Sequence, residues 1–415
     1  MIAQFTTKRD LIGGFANAMN LINPELQDHH ERVSYLAYRM AEAMGMEEGH
    51  RTLAFFGGLL HDIGGVMKRE NISLFDLELN AGEVALAGAS LLRMFPATAP
   101  FAPVVQVSQT PWQRLHANLK APRQIGQIVH LADAVTLLLD SSQPVLNQVG
   151  QIREMVHSGA GSEFSSEVLS AFDALCARES VWMDLLYRPQ FFLDLIPDNR
   201  WISLDETVKL TQFMSKIIDF RSPFTAMHSA GVAATACALA ELVGMSGDEC
   251  KMMRIAGYVH DIGKMKIPNE ILEKPGKLTD EEFNVMKEHA YYSWIILKDI
   301  RGFEQITKWA ALHHEKLNGN GYPFHLSASE LSLGSRIMTV ADIFSAITEE
   351  RPYRKSMDQE RVIELLRGDA ERGLLSERLV KLLVEHYEDI NERRDAESRA
   401  ASKTYQESLR AAREG

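Results

Sequence analysis

Cysteine is scarce in this chain: Cys176, Cys237 and Cys250 are all it has, scattered and odd in number. That excludes a disulfide framework and fits free thiols in the reducing cytoplasm. Positive charge is short as well. A formal net charge of −12 argues against binding along a phosphate backbone, so no polymeric nucleic acid is expected as a partner. An anionic ligand would have to be held by local positive charge from metals, lysine or arginine. Apolar runs stop well short of the roughly 20 residues that span a bilayer, and Met1–Arg9 has no secretory apolar core. A cytoplasmic protein without a membrane span is the expectation. Strand signal is sparse throughout.

What the chain does have is ordinary globular composition, 46% hydrophobic and 24% charged, over 415 residues. That length exceeds a typical single core and calls for two domains, three at most. Apolar residues at three- and four-residue spacing mark helices over segments such as Val33–Met44, Val232–Val243 and Ile363–Leu366. The chain also repeats itself. His29-His30-Glu31-Arg32-Val33 precedes His61-Asp62-Ile63-Gly64 by 32 positions, and His228-Ser229-Ala230-Gly231-Val232 precedes His260-Asp261-Ile262-Gly263 by the same 32. Each first histidine starts a helical run that ends in Gly-Met, at Gly45-Met46 and at Gly244-Met245. A closing match sets Ile128-Val129-His130-Leu131-Ala132-Asp133 against Ile337-Met338-Thr339-Val340-Ala341-Asp342. Three matches in one order predict two helical domains of related plan. The turn formers at Ile196-Pro197-Asp198-Asn199-Arg200 place the boundary there, giving 1–197 and 198–390. Residues 391–415, with Arg393, Arg394, Asp395, Glu397, Arg399 and Glu407, read as a charged C-terminal helix or tail.

The second half carries the chemistry. His260-Asp261 and His313-His314 are adjacent pairs, Gly321-Tyr322-Pro323 follows closely, and His228, His289, Asp342 and Lys264 flank them. Imidazole and carboxylate donors at this density, without cysteine, suit a first-row transition metal. Neighbouring helical side chains point about 100° apart, so an adjacent pair serves two ions more readily than one. An aspartate beside a histidine can bridge the two, which is the arrangement of a two-metal phosphoester hydrolase. A helical core has no reason to collect so many buried polar groups idly.

Residues from about 205 to 390 resemble an HD-GYP domain, the metal-dependent phosphodiesterase branch of the HD superfamily. The likeness rests on His260-Asp261-Ile262-Gly263-Lys264, Ile267-Pro268, Lys274-Pro275-Gly276-Lys277-Leu278-Thr279, His289, His313-His314, Gly321-Tyr322-Pro323, Ala341-Asp342 and Arg351-Pro352-Tyr353-Arg354. It implies an all-α fold, with two helical HD-type domains in tandem, and a cyclic dinucleotide substrate, above all cyclic di-GMP. It further implies one metal on His228, His260, Asp261 and Asp342 and a second on Asp261, His289, His313 and His314. Asp261 is then the bridge and a hydroxide between the metals the nucleophile, yielding a linear dinucleotide. The cofactors would be two divalent transition-metal ions, iron, manganese or nickel foremost, although such sites accept zinc too.

Lys264, one turn after His260, can reach a non-bridging phosphate oxygen, or it is a solvent-facing lysine. Arg351 and Arg354 share a face suited to the second phosphate or a guanine, or are ordinary surface charge. Tyr322 can stack on a base, in a loop whose plainer role is to close a helical layer and which also offers a surface for a protein partner. Two departures from the family bear on the reading. Phe224 stands where some members have a glutamate that helps bind a third metal, which favours two. Ser345 stands where many have an aspartate near the guanine edge; its hydroxyl can donate or accept, which raises 3′,3′-cGAMP beside cyclic di-GMP.

The first half resembles an HD domain more loosely, with His29, His61, Asp62 and Asp133 as a single-metal set. Gly65 replaces the lysine, Gly82-Glu83-Val84-Ala85-Leu86-Ala87-Gly88 has no histidine and no His-His pair follows, so a second metal is not expected. It reads as a decayed duplicate used for packing or for a homodimer, or as a one-metal phosphatase acting on the linear product. The leading expectation is a cyclic dinucleotide phosphodiesterase. A non-hydrolysing receptor or scaffold that meets partners through the Gly-Tyr-Pro loop is the alternative, with a general nucleotide phosphohydrolase third.

Overall fold

The computed structural model describes residues 4–21, 28–67, 81–116, 118, 120–187, 189–195, 200–220, 227–349 and 356–414. The fold is all-α: among the described residues the one sheet is the antiparallel pairing of β1 (Gln4–Thr7) with β2 (Trp201–Ser203). No helix among them is long and apolar enough to cross a membrane. The chain divides into two compact units.

One unit comprises 4–21 together with 200–407. Its first segment, β1 and α1 (Lys8–Asn20), lies outside the expected second domain of 198–390. Backbone pairing explains the difference, since β1 bonds to β2 and α1 packs beside the helix that carries His289. The expected division at 197 therefore describes neither unit fully.

The remaining unit, within 28–195, holds the first copy of the repeat. Its helices include α2 (His29–Ala43), α3 (Glu48–Leu60), α4 (Ala81–Arg93), α5 (Ala102–Val107) and α6 (Lys120–Leu137). After these come α7 (Val145–Ser158), α8 (Ser166–Cys176) and α9 (Glu179–Tyr187). Val33, Leu36 and Met40 of α2 close on Phe55 of α3 and Ile128 of α6, all solvent-inaccessible.

The second copy runs α10 (Leu204–Phe220), α11 (His228–Leu242), α12 (Gly247–Val259), α13 (Asn269–Leu272), α14 (Asp280–Leu297), α15 (Glu304–Ala311) and α16 (Leu333–Thr348). α11 is apolar on every side and every residue from His228 to Ala240 is buried. A helix of that kind has to sit in the middle, here between α12 and α16. Capping boxes fix where its neighbours begin. Ser246 and Glu249 satisfy each other's backbone N–H groups at the start of α12, as do Thr279 and Glu282 for α14.

α17 (Gln359–Glu371), α18 (Glu377–Glu385) and α19 (Tyr387–Glu414) close the chain. α19 passes through position 391 without a break, and Ile390, Arg394, Ser398 and Ala401 on it are buried. The charged segment is thus no free tail where it crosses α11: Ser398 donates to the Met227 carbonyl at 3.1 Å, and Arg393 pairs with Glu241 at 2.7 Å.

Candidate metal centre

The site is built where three helix ends meet α14 and α16. α12 stops at Val259 and hands His260 and Asp261 to a short 3-10 turn, Ile262–Lys266. That turn lies flat on α14, because a Cβ on Gly263 would come 2.0 Å from the His289 carbonyl oxygen. Ser293 locks the junction, donating to the His260 carbonyl at 2.7 Å and accepting from Gly263 N–H at 3.0 Å. His313 and His314 follow α15, and Asp342 comes from α16.

Asp261 is 2% exposed and faces two ways. Its Oδ2 is 3.2 Å from His260 Nε2, while its Oδ1 is 3.5 Å from His289 Nε2 and 4.0 Å from His313 Nε2. Asp342 Oδ1 lies 3.0 Å from His228 Nε2 and 3.9 Å from His260 Nε2, with Oδ2 3.9 Å from His314 Nδ1. His228, His260 and Asp261 bring donor atoms within 4.8 Å of one another, and so do His289, His313 and His314. All seven residues expected as ligands are brought together.

The protonation pattern suits cations. His260, His289 and His313 each give Nδ1–H to the carbonyl three residues back, at 2.8, 2.6 and 2.6 Å. Their Nε2 atoms therefore present lone pairs to the site. His260 Nε2 is buried and makes no hydrogen bond, and the Nε2 atoms of His289 and His313 face each other at 3.4 Å. Two lone pairs at that distance repel unless an electrophile lies between them, so the donor set fits divalent metals. Burial, then neighbouring imidazoles, depresses His313 to about 3 and His314 well below its usual value; burial, against Asp261, leaves His289 at about 4. Burial would raise Asp261, but His260 and Lys264 hold it well below the carboxylate range. Burial likewise opposes charge on His228, yet the Glu349 and Asp342 carboxylates lift it to about 10. Glu349 was missed in the sequence. Its only signal there is a position seven residues after Asp342, two turns along the same helix.

The expected substrate contacts fare differently. Lys264 Nζ lies 2.6 Å from Asp261 Oδ2 and keeps 19% of its side chain exposed. Tyr322 is half-buried with its ring centroid 4.7 Å from that of His314. Its loop folds back on the His-His segment: buried Glu315 accepts Phe324 N–H at 2.7 Å and Leu326 N–H at 3.0 Å. Gly321 has no room for a side chain, since a Cβ would meet Glu315 Cα at 2.4 Å. Ser345 requires a correction. It is wholly buried between α11 and α16, its hydroxyl 3.5 Å from Thr235 Oγ1, so no base can reach it. Arg351, Arg354 and Phe224 lie outside the described residues.

In the first copy, His29, His61, Asp62 and Asp133 also converge. His29 Nε2 is 3.2 Å from Asp133 Oδ1, and His61 Nε2 is 3.0 Å from Asp62 Oδ2 and 3.4 Å from Asp133 Oδ1. Gly64 lies against the Val84 carbonyl as Gly263 does against that of His289, so Val84 takes the place of His289. Gln109 Nε2 donates to Asp133 Oδ2 at 2.7 Å, on the oxygen that His314 faces in Asp342. A second donor group is absent from this copy's described residues.

Two stretches match HD domain families, residues 212–374 and residues 26–138. A 3′3′-cGAMP-specific phosphodiesterase 1 of Vibrio cholerae is 30% identical over 92% of this chain and 92% of its own. The chain belongs to the HD-GYP family of cyclic dinucleotide phosphodiesterases. A cyclic di-GMP phosphodiesterase of Pseudomonas aeruginosa is 41% identical over 32% of each chain. The crystal structure of a cyclic GMP-AMP-specific phosphodiesterase from V. cholerae matches with a TM-score of 0.63 over 96% of this chain and 98% of that one. At 20% identity that likeness concerns the fold. HD-GYP enzymes are metal-dependent hydrolases, and the clusters described above are where this member has donors for metal.

Proposed function

We propose that this HD-GYP protein hydrolyses a phosphodiester of 3′,3′-cGAMP to leave a linear dinucleotide. His228, His260, Asp261 and Asp342 would hold one divalent transition metal, and Asp261, His289, His313 and His314 a second. The observation that carries this reading is Asp261, whose two oxygens face two separate imidazole groups. When bound, metals of this class lower the pKa of a water and neutralise charge gathering on the phosphate oxygens; iron, manganese and nickel suit the donors. The protein's own part is preorganisation. Backbone carbonyls orient three imidazoles, and burial keeps His289 and His313 unprotonated at neutral pH. Lys264 holds Asp261 Oδ2 and offers its partly exposed ammonium to a phosphate oxygen. Tyr322 is seated against His314, where its ring can stack on a base.

The preference for 3′,3′-cGAMP is supported by the relative that matches along 92% of both chains; the cyclic di-GMP relative above matches about a third of this one. The test is hydrolysis of the two cyclic dinucleotides side by side by the metal-loaded chain, with metal analysis of the same sample. A higher kcat/KM for 3′,3′-cGAMP is expected. A ratio favouring cyclic di-GMP overturns the substrate, and turnover of neither overturns the activity in favour of a receptor.

A further inference from the structure

Apart from His314, whose Nδ1 faces Asp342 Oδ2 at 3.9 Å, the imidazoles of the two clusters are oriented in two ways. His61, His260, His289 and His313 each use the carbonyl three residues back, at 2.6–2.8 Å. His29 and His228 differ in place, each being the first residue of its helix. Their Nδ1 atoms turn instead to a side chain from the helix of the distal aspartate. For His29 that side chain is a neutral hydroxyl, Thr136 Oγ1 at 3.4 Å. For His228 it is a carboxylate, Glu349 Oε2 at 3.4 Å.

We propose that Glu349 is the positioning residue of the metal centre: it holds His228 with Nε2 toward the aspartates and strengthens that nitrogen as a donor. This rests on the two-metal reading above. Glu349 is an unusual place for a buried acid. It is the residue on which α16 ends and is 4% exposed, so it sits at the negative end of the helix dipole and out of water. Both effects disfavour a carboxylate there unless a partner stands opposite, and His228 Nδ1 stands 3.4 Å from Glu349 Oε2. Asp140 follows Asp133 by seven residues, as Glu349 follows Asp342. It is exposed, however, and bonds Ser142 and Gln143 instead. The carboxylate partner at this position therefore belongs to the second copy, on the His228 side of its donor set.

The experiment is a manganese(II) titration of the metal-free full chain, with chelator competition and ion counting, for wild type, Glu349→Ala and Glu349→Gln. Losing an outer carboxylate of this kind costs about tenfold to a hundredfold in metal affinity. Glu349→Ala is expected to weaken one class of site by that factor and leave the others unmoved. Glu349→Gln, which keeps an accepting oxygen without the charge, should weaken the same class less. Wild-type affinity at every site in Glu349→Ala overturns the proposal. So does uniform weakening with a lower metal-free Tm, which would make Glu349 merely structural. A wild-type chain that binds no manganese in this region would instead overturn the two-metal reading.

Discussion

Asp261 and Lys264 sit 2.6 Å apart yet should fail in opposite ways when removed. Asp261→Asn keeps the shape of the side chain but turns one oxygen into an N–H donor. An N–H group cannot face His289 Nε2 as a ligand, so the variant is expected to lose ion and turnover together. A purified Asn variant with full metal content and near-wild-type kcat would contradict the bridging role. Lys264→Ala removes a cation that competes with metal for Asp261 Oδ2, so metal content should hold or rise. Its loss would show in kcat, by about a hundredfold if the ammonium meets the transition-state phosphate. Metal loss in Lys264→Ala would make the lysine a support for Asp261 alone. Ser345 supplies the converse. Because its hydroxyl is buried beside Thr235, Ser345→Ala and Ser345→Asp should leave the ratio of kcat/KM for 3′,3′-cGAMP and cyclic di-GMP unchanged. A shifted ratio would restore it to the substrate site.

Elements decide which of these residues can meet. The 3-10 turn after His260-Asp261 approaches α14 so closely that Gly263→Ala must push the two apart. The expected result is a loss of stability on the order of 2–3 kcal/mol, together with weaker metal binding on the His289 side. Urea unfolding of the metal-free variant and a metal count would check both, and unchanged values would mean that the turn can shift. Helix spacing and the His-Asp pairs made these elements legible in sequence, since ligands at helix ends keep a fixed offset from the apolar period. Two things were not legible. Ser345 and Asp342 are one turn apart on α16, and the sequence gives that register without saying that Thr235 of α11 covers the second position. Glu349 falls between Asp342 and the Arg351-Pro352-Tyr353-Arg354 string and belongs to neither motif, and its partner is 121 positions away in the sequence. Only packing of α16 on α11 joins them. The pairing of β1 with β2 escaped for a related reason, because strands of four and three residues are too short for a period to register.

At the scale of the whole chain, the two copies share a plan and differ in their donor sets. Both copies bury imidazole beside carboxylate, and the cost of that choice appears when metal is removed. His30, His289 and His313, all depressed chiefly by burial to about 3, 4 and 3, bind fewer protons folded than unfolded below their ordinary value of 6.5. Their contribution is complete above 6.5 and is lost as pH falls toward those values. Asp219 opposes them: burial raises it to about 7 from 3.8, so its share of stability grows as pH falls through that window. One acid stands against three imidazoles, and acid should win as a denaturant. His228, raised to about 10, contributes below its unfolded value of 6.5 and loses that contribution as pH climbs toward 10. The metal-free protein should accordingly have its highest Tm near neutrality and a falling Tm from pH 7 to pH 5. Bound metal competes with protons for His289 and His313, so the loaded protein should hold its Tm further into acid before ions and fold are lost together. Thermal melts across pH 5–9, with and without chelator, test this. A metal-free Tm that rises between pH 7 and pH 5 would show that the buried imidazoles do not govern its stability.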